Sequence, residues 1–346
     1  MIMKTKKIIK RLFLTVLLLI AAVIVIGLGF RLIDGRSPQA YVVAHSLSQS
    51  TMEDYEKGKN DMTDKSMVKI PDGVEFPREV TQYKVGHMQV FECTAEDDSK
   101  PIVLYIHGGA YVHNFSSRHW SAMAEWAEMT GCGMVIPNYP LLFRYTVKDA
   151  FPLMMQLYRQ LQTRFPTKRI IIMGDSAGGG FSLALAQEIQ KTDSLDLPGR
   201  LILISPWVDV LGGDNALQEY DTFLNNEVLR HIGANWAGKL NPHDPIVSPF
   251  YGDMHELPPT DLFTGTWEVF YTDIVKTHKK MKAAGVDVSL HVKEKMGHVY
   301  PLWPCPEGEE ARKMIAEIIS KVKFFYVAIQ IIGKYLLFIN YSVSIT

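Results

Sequence analysis

The stretch IIIMGDSAGGGF, residues 170–181, sets one serine among glycines directly after an apolar run. Glycine costs conformational entropy in an ordered chain, so Gly174, Gly178, Gly179 and Gly180 around Ser176 call for a geometric reason. The apolar run reads as a buried strand and residues 177–191 as a helix, which puts Ser176 at the tight turn between them. Gly174-Asp175-Ser176-Ala177-Gly178 then matches the G-x-S-x-G nucleophile elbow. There a strained turn lifts the serine oxygen clear of the sheet, and the two backbones pass too close for side chains two positions away. The helix amino end favours a developing negative charge. A plain glycine turn is the ordinary alternative; a phosphate loop would need the G-K-[ST] ending, which is missing.

Working outward, short apolar runs alternate with helical patterns. Strands are expected at 102–106, 134–137, 170–173, 201–204, 262–264 and 286–292, and helices at 121–129, 151–164, 177–191, 273–284 and near 309–323. Strand then helix, repeated, predicts an α/β fold with a mostly parallel central sheet and helices on both faces. Chemistry in such sheets collects at the carboxyl ends of the strands. Residues 211–259 break the rhythm with glycines, prolines and Trp236, as a lid or cap does.

The strand at 102–106 ends in His107-Gly108-Gly109-Ala110-Tyr111. Two successive glycines let Gly108 and Gly109 present bare amides, which with that of Ala177 would form an oxyanion hole. A serine hydroxyl needs a base, and histidine, with an ordinary pKa near 6.5, is the usual one. Eleven histidines compete. His298 follows the alternating strand Val286, Val288, Leu290, Val292 in a loop opening at the edge where Ser176 stands. His291 falls on that strand's polar face, His231, His243 and His255 in the irregular segment, and His107 in the glycine loop, where a structural hydrogen bond is its expected job. The acid must lie between 176 and 298 in the order Ser, acid, His. Glu268, just past the strand at 262–264, is preferred to Asp273, one turn into the next helix.

Composition excludes other classes. The net charge of −1, with dispersed lysine and arginine, leaves no basic stripe for nucleic acid. Cys93, Cys132 and Cys305 are odd in number and lack a C-x-x-C pair, so neither a disulfide framework nor a zinc site is indicated, and no H-E-x-x-H pair suggests a metal. No cofactor is implied.

At the amino end, Lys4, Lys6, Lys7, Lys10 and Arg11 precede an unbroken apolar run over 12–30, long enough to cross a bilayer as a helix. The cationic flank would stay in the cytoplasm and place the rest of the chain outside. A cleaved signal peptide is the alternative, with Gly27-Leu28-Gly29 as a loose cleavage site, but its apolar region is usually shorter. The expected organisation is a basic flank and transmembrane anchor over 1–34, linker and cap helices over 35–79, and a catalytic domain over 80–323 with a cap insertion at 211–245. An apolar tail over 324–346 would span the membrane, pack on the domain or lie in the membrane interface.

The set His107-Gly108-Gly109-Ala110-Tyr111, Gly174-Asp175-Ser176-Ala177-Gly178-Gly179, Ser205-Pro206-Trp207-Val208-Asp209 and Met296-Gly297-His298 resembles the hormone-sensitive lipase-like family of α/β-hydrolases over roughly residues 80–320. The resemblance implies an α/β-hydrolase fold with a helical cap built from 36–75 and 211–245. It implies an oxyanion hole of Gly108, Gly109 and Ala177, and favours Glu268 over Asp273 by its position after the penultimate strand. Tyr111, Trp207 and Val299 are the expected pocket residues. Two departures stand out: glutamate where the family more often has aspartate, and Asn138-Tyr139-Pro140-Leu141-Leu142 where it usually shows a Tyr-Arg-Leu-Ala-Pro type run, which bears on pocket shape.

The resulting expectation is a membrane-anchored carboxylesterase acting on short to medium acyl esters, of small molecules or lipids, through Ser176, His298 and Glu268. Amide or formamide hydrolysis on the same groups and a non-catalytic binding protein on a hydrolase scaffold are the alternatives. The oligomeric state is not legible.

Overall fold

The computed structural model describes residues 2–49, 51–60, 67–166 and 169–322. All six expected strands form, each within two residues of its expected bounds, and two more precede them. β1 (Val80–Val85) and β2 (Met88–Cys93) make an antiparallel hairpin closed by Gly86-His87. Gly86 sits at φ 58°, the left-handed backbone that a two-residue hairpin turn demands of its first residue. β3 (Ile102–Ile106), β4 (Gly133–Asn138), β5 (Ile170–Asp175), β6 (Arg200–Ile204), β7 (Thr260–Gly265) and β8 (Val288–Lys293) complete one eight-stranded sheet in the order β1-β2-β4-β3-β5-β6-β7-β8. β2 meets β4 antiparallel, and every later pairing is parallel.

Alternation along the strands builds a core on each face. Ile170 and Ile172 join Leu104, Leu203 and Leu262 under α5 (Val147–Arg164), α6 (Ser176–Gln190) and α8 (Tyr271–Ala283). Ile171 and Met173 join Val103, Ile202 and Phe263 under α4 (Ser117–Thr130) and α9 (Pro306–Lys321). The chain has the α/β-hydrolase architecture, with the strands' carboxyl ends gathered on one rim. Cys93, Cys132 and Cys305 are free and buried.

The amino-terminal segments pack at separate places on the domain. Within α1 (Ile2–Ile33), the 22 residues Leu12–Ile33 are long and apolar enough to cross a membrane, by length and composition, and none of those whose side chains are described is buried in the protein. A turn at Gly35 leads into α2 (Pro38–Ser46), started by the Ser37 side chain accepting from the Ala40 amide. α2 packs Ala40, Val43 and Ala44 against Met296, Tyr300 and Trp303, beside the pocket instead of over it. Val68, Ile70, Val74 and Phe76 pack on the Trp120 side of the sheet, because β2 and α4 leave apolar surface open there. Among the described residues of this stretch, α3 (Met52–Asn60) reaches the cap side: its Tyr55 ring lies 5.3 Å from Phe143 and 4.9 Å from His231 of α7 (Asn226–Ala237). The tail over 324–346 lies outside the described residues.

Candidate active site

β5 delivers the chain into a turn that only glycine neighbours allow. A Cβ on Gly174 would come within 2.5 Å of the Gly178 carbonyl oxygen, and one on Gly178 within 2.0 Å of that of Ile106. Ser176 itself takes φ 51°, uncommon for a non-glycine residue, and opens α6 with its side chain at the cavity floor.

His298 reaches this serine from the loop after β8. Its Nε2 stands 2.8 Å from Ser176 Oγ, and its Nδ1 2.7 Å from Glu268 Oε2. Glu268 and His298 are almost wholly buried, and Ser176 is 7% exposed. The other Glu268 oxygen accepts from Ser205 Oγ at 3.0 Å, from the Gly265 amide at 3.2 Å and from the Thr264 hydroxyl. Ser205 Oγ also accepts from the Val299 amide at 3.0 Å, tying the acid turn to the histidine loop. Val299 pays for this position with φ 51°, strained backbone for a β-branched residue. Asp273 is elsewhere, accepting from the Gly213 amide at 2.8 Å and pairing with Lys276.

A second buried carboxylate, Asp221, braces this turn. Its oxygens accept from the amides of Phe223 and Leu224, both at 2.9 Å, and of Val269 at 3.0 Å. Burial pushes its carboxyl above the usual carboxylate range, against the pull of His298 and these amides.

The glycine loop corrects one expectation. The Gly108 amide does not face the cavity; it donates to Asp175 Oδ1 at 2.9 Å. A Cβ there would strike Asp175 Oδ2 at 2.2 Å, so glycine is required by the neighbouring carboxylate. Gly109 and Ala110, at φ 116° and 52°, do line the cavity beside Ser176. Ala177 lies in the first turn of α6, where amides have no intrahelical partner. Asp175 also accepts from the Tyr105 hydroxyl at 2.8 Å and meets His119 Nε2 at 3.1 Å. Burial alone would raise its pKa, but His119, the hydroxyl and the amide outweigh that and hold it below the usual range. His107, buried, has its pKa lowered to about 3, and its Nδ1 lies 2.6 Å from the Gly108 carbonyl, in keeping with a structural role.

Above Ser176 is a cavity of about 410 Å³. Tyr55, Phe143, Leu224, Val228, Leu229 and Ile232 give it apolar walls from α3, α7 and their neighbours. Of the three pocket candidates, Val299 lines it, whereas Tyr111 and Trp207 do not. Both are 1% exposed and sit beneath the floor: the Tyr111 ring stacks on Trp236 at 4.2 Å and donates its hydroxyl to the Ala177 carbonyl at 3.0 Å, and Trp207 stacks on Phe270 at 5.8 Å. Among the described residues no cluster of His, Cys, Asp and Glu has the makings of a metal site. Sequence reasoning assigned no role to Asp175, His119, Ser205 or Asp221. Asp175 and Ser205 stand inside motifs it singles out, and His119 left a signal, three residues after Ser116, the N-cap of α4.

Residues 103–302 match a family model described as alpha/beta hydrolase fold. An esterase of Acinetobacter venetianus is 30% identical over 241 residues, covering 67% of this chain and 78% of that protein. An acetyl-hydrolase of Streptomyces hygroscopicus is 28% identical over 245 residues, covering 67% and 78%. A solved esterase from the bacterial hormone-sensitive lipase family superimposes with a TM-score of 0.71 at 26% identity, over 83% of this chain and 99% of that one.

Proposed function

Because the chain belongs to the alpha/beta hydrolase fold family, in its hormone-sensitive lipase-like branch, and is a carboxylesterase-type hydrolase, we propose that it cleaves short to medium acyl esters through an acyl-enzyme on Ser176. The observation that carries this reading is the unbroken run from Ser176 Oγ to His298 at 2.8 Å and on to Glu268 at 2.7 Å. With Nδ1–H donated to the carboxylate, Nε2 keeps its lone pair for the serine proton. Ser176 Oγ bonds to the ester carbonyl carbon while that proton passes to His298. As the intermediate collapses the alkoxide leaves, taking the proton from the imidazolium, which Glu268 orients and stabilises. Water, deprotonated by His298, then attacks the acyl carbon, and the acid departs as Ser176 regains its proton.

The oxyanion is assigned to the Gly109 and Ala177 amides, since Gly108 is engaged by Asp175. The apolar walls suit an acyl chain of limited length. Residues 1–34 are read as an uncleaved anchor with the catalytic domain outside the cytoplasm, from the basic flank ahead of Leu12–Ile33. The test is a panel of nitrophenyl esters of increasing chain length with Ser176→Ala and a fluorophosphonate probe. Turnover and labelling are expected to vanish together in the variant, and retained esterase activity would refute the assignment.

A further inference from the structure

The chain leaving the proposed anchor is clamped to the loops that carry the proposed base and acid. Lys295 Nζ donates to the Asp34 carbonyl at 2.6 Å. The Arg36 guanidinium lies 4.5 Å from the centroid of Trp267, the residue before Glu268. Ser37 donates its amide and its hydroxyl to the Glu307 carboxylate, both at 2.6 Å. α2 packs on Met296, two residues before His298. Farther on, Gln49 Nε2 donates to the carbonyls of Gln218, at 3.2 Å, and Asp221. A flexible tether makes no such contacts. The catalytic domain therefore cannot tumble freely on its span, and the rim bearing the active site is the rim held to the anchor.

Distance places that rim at the membrane. Arg36 follows Ile33 by three residues, so roughly 10 Å of extended chain at most separates it from the end of the apolar span. The interfacial layer of a leaflet is itself about 5–8 Å deep. Two side chains on this rim stay exposed although apolar. Tyr220, 44% exposed, stacks on Trp267 at 5.7 Å; Phe223, 37% exposed, lines the cavity with its ring 6.3 Å from His298. Exposed aromatics beside the end of a span are what the headgroup layer favours.

We propose that this hydrolase takes its ester from the bilayer that holds α1, the substrate being a membrane-resident acyl lipid whose ester group passes Phe223 into the cavity while the rest of the molecule stays in the leaflet. The proposal rests on the esterase and uncleaved-anchor readings above and goes beyond them in naming the phase that supplies the substrate.

The test uses the full chain in phosphatidylcholine vesicles carrying a fluorogenic acyl lipid, with nitrophenyl butyrate in the water as a second substrate. A twelve-residue Gly-Ser insertion between Gly35 and Arg36 frees the domain from the span but leaves every residue of the catalytic and binding machinery in place. Butyrate turnover is expected to be unchanged, while lipid turnover falls by about tenfold as the enforced proximity is lost. Equal lipid turnover with and without the insertion would overturn the proposal, as would equal turnover of lipid supplied in the enzyme's own vesicles and in separate ones. Loss of butyrate turnover in the unmodified chain would instead strike the esterase reading. A second measurement does not depend on turnover: a polarity-sensitive dye on Tyr220→Cys, beside three buried native thiols, is expected to shift to the blue in vesicles. An emission matching the detergent-free water value would count against bilayer contact.

Discussion

Two histidine–carboxylate pairs stand within the same site, His298 with Glu268 at 2.7 Å and His119 with Asp175 at 3.1 Å, and all four side chains are buried. What separates them is the other ring nitrogen. His119 Nδ1 lies 2.8 Å from the Ser116 amide, and a backbone N–H can only donate, so that nitrogen carries no proton and the Nε2–H points at Asp175. His298 has the carboxylate on its other nitrogen, with Nδ1 on Glu268 and Nε2 on the Ser176 hydroxyl. One pair is closed at both ends and holds the glycine loop through Asp175 and Gly108. The other ends on the Ser176 hydroxyl, the proposed nucleophile. Burial and a carboxylate partner alone therefore do not mark a base; the partner of the second nitrogen does.

The widest gap between the pairs is expected in turnover. His298→Ala should lower kcat on a nitrophenyl ester by about 10⁴-fold or more, and His119→Ala by no more than about 10²-fold, through a displaced glycine loop. Similar losses in both would erase the distinction. Next, Glu268→Gln should cost about 10³- to 10⁴-fold in kcat by disturbing the tautomer. Asp175→Asn should act chiefly on stability, by about 1.5–3 kcal/mol as charge-assisted bonds weaken, read from urea unfolding.

The third contrast is in pH. The folded Asp175 carboxyl titrates below its ordinary range, so the unfolded chain binds the extra proton as pH falls, and the stability Asp175 supplies is complete above the unfolded value and lost as pH drops through the folded one. The unfolding gap between the parent and Asp175→Asn is thus expected to hold from about pH 7 to about 5 and to narrow towards about pH 3. Smallest is Ser116→Ala, which deletes the α4 N-cap hydroxyl but keeps the amide that sets the His119 tautomer. About 0.5–2 kcal/mol of stability should go with kcat unmoved; a large fall in kcat would mean the hydroxyl, not the amide, governs the ring.

What was legible in the chain follows from what periodicity and glycine report. β3, β5 and β7 are buried at every residue, so their apolar runs stood out, and Gly174 and Gly178 announced the elbow because close backbones leave no other choice. β2 stayed hidden because it buries Gln89 and Glu92 among apolar neighbours, Glu92 pairing with Arg164. Gly108 misled because a bare amide looks alike whether it faces a substrate or a carboxylate, and Asp175 occupies the unspecified position of its motif. Tyr111 and Trp207 belong to the glycine-loop and Ser-Pro-Trp motifs that border the pocket, yet tertiary stacking with Trp236 and Phe270 draws them under the floor.

Asp221 joins the roof to the acid turn through three amides, one from the residue after Glu268. Roof and proposed triad thus share a hinge pin, and a mutation or temperature that slackens the covering is expected also to shift Glu268 against His298. Room for bulkier acyl chains is more safely made by trimming Val228, Leu229 or Ile232 on α7, downstream of that pin, than by loosening the loop it holds.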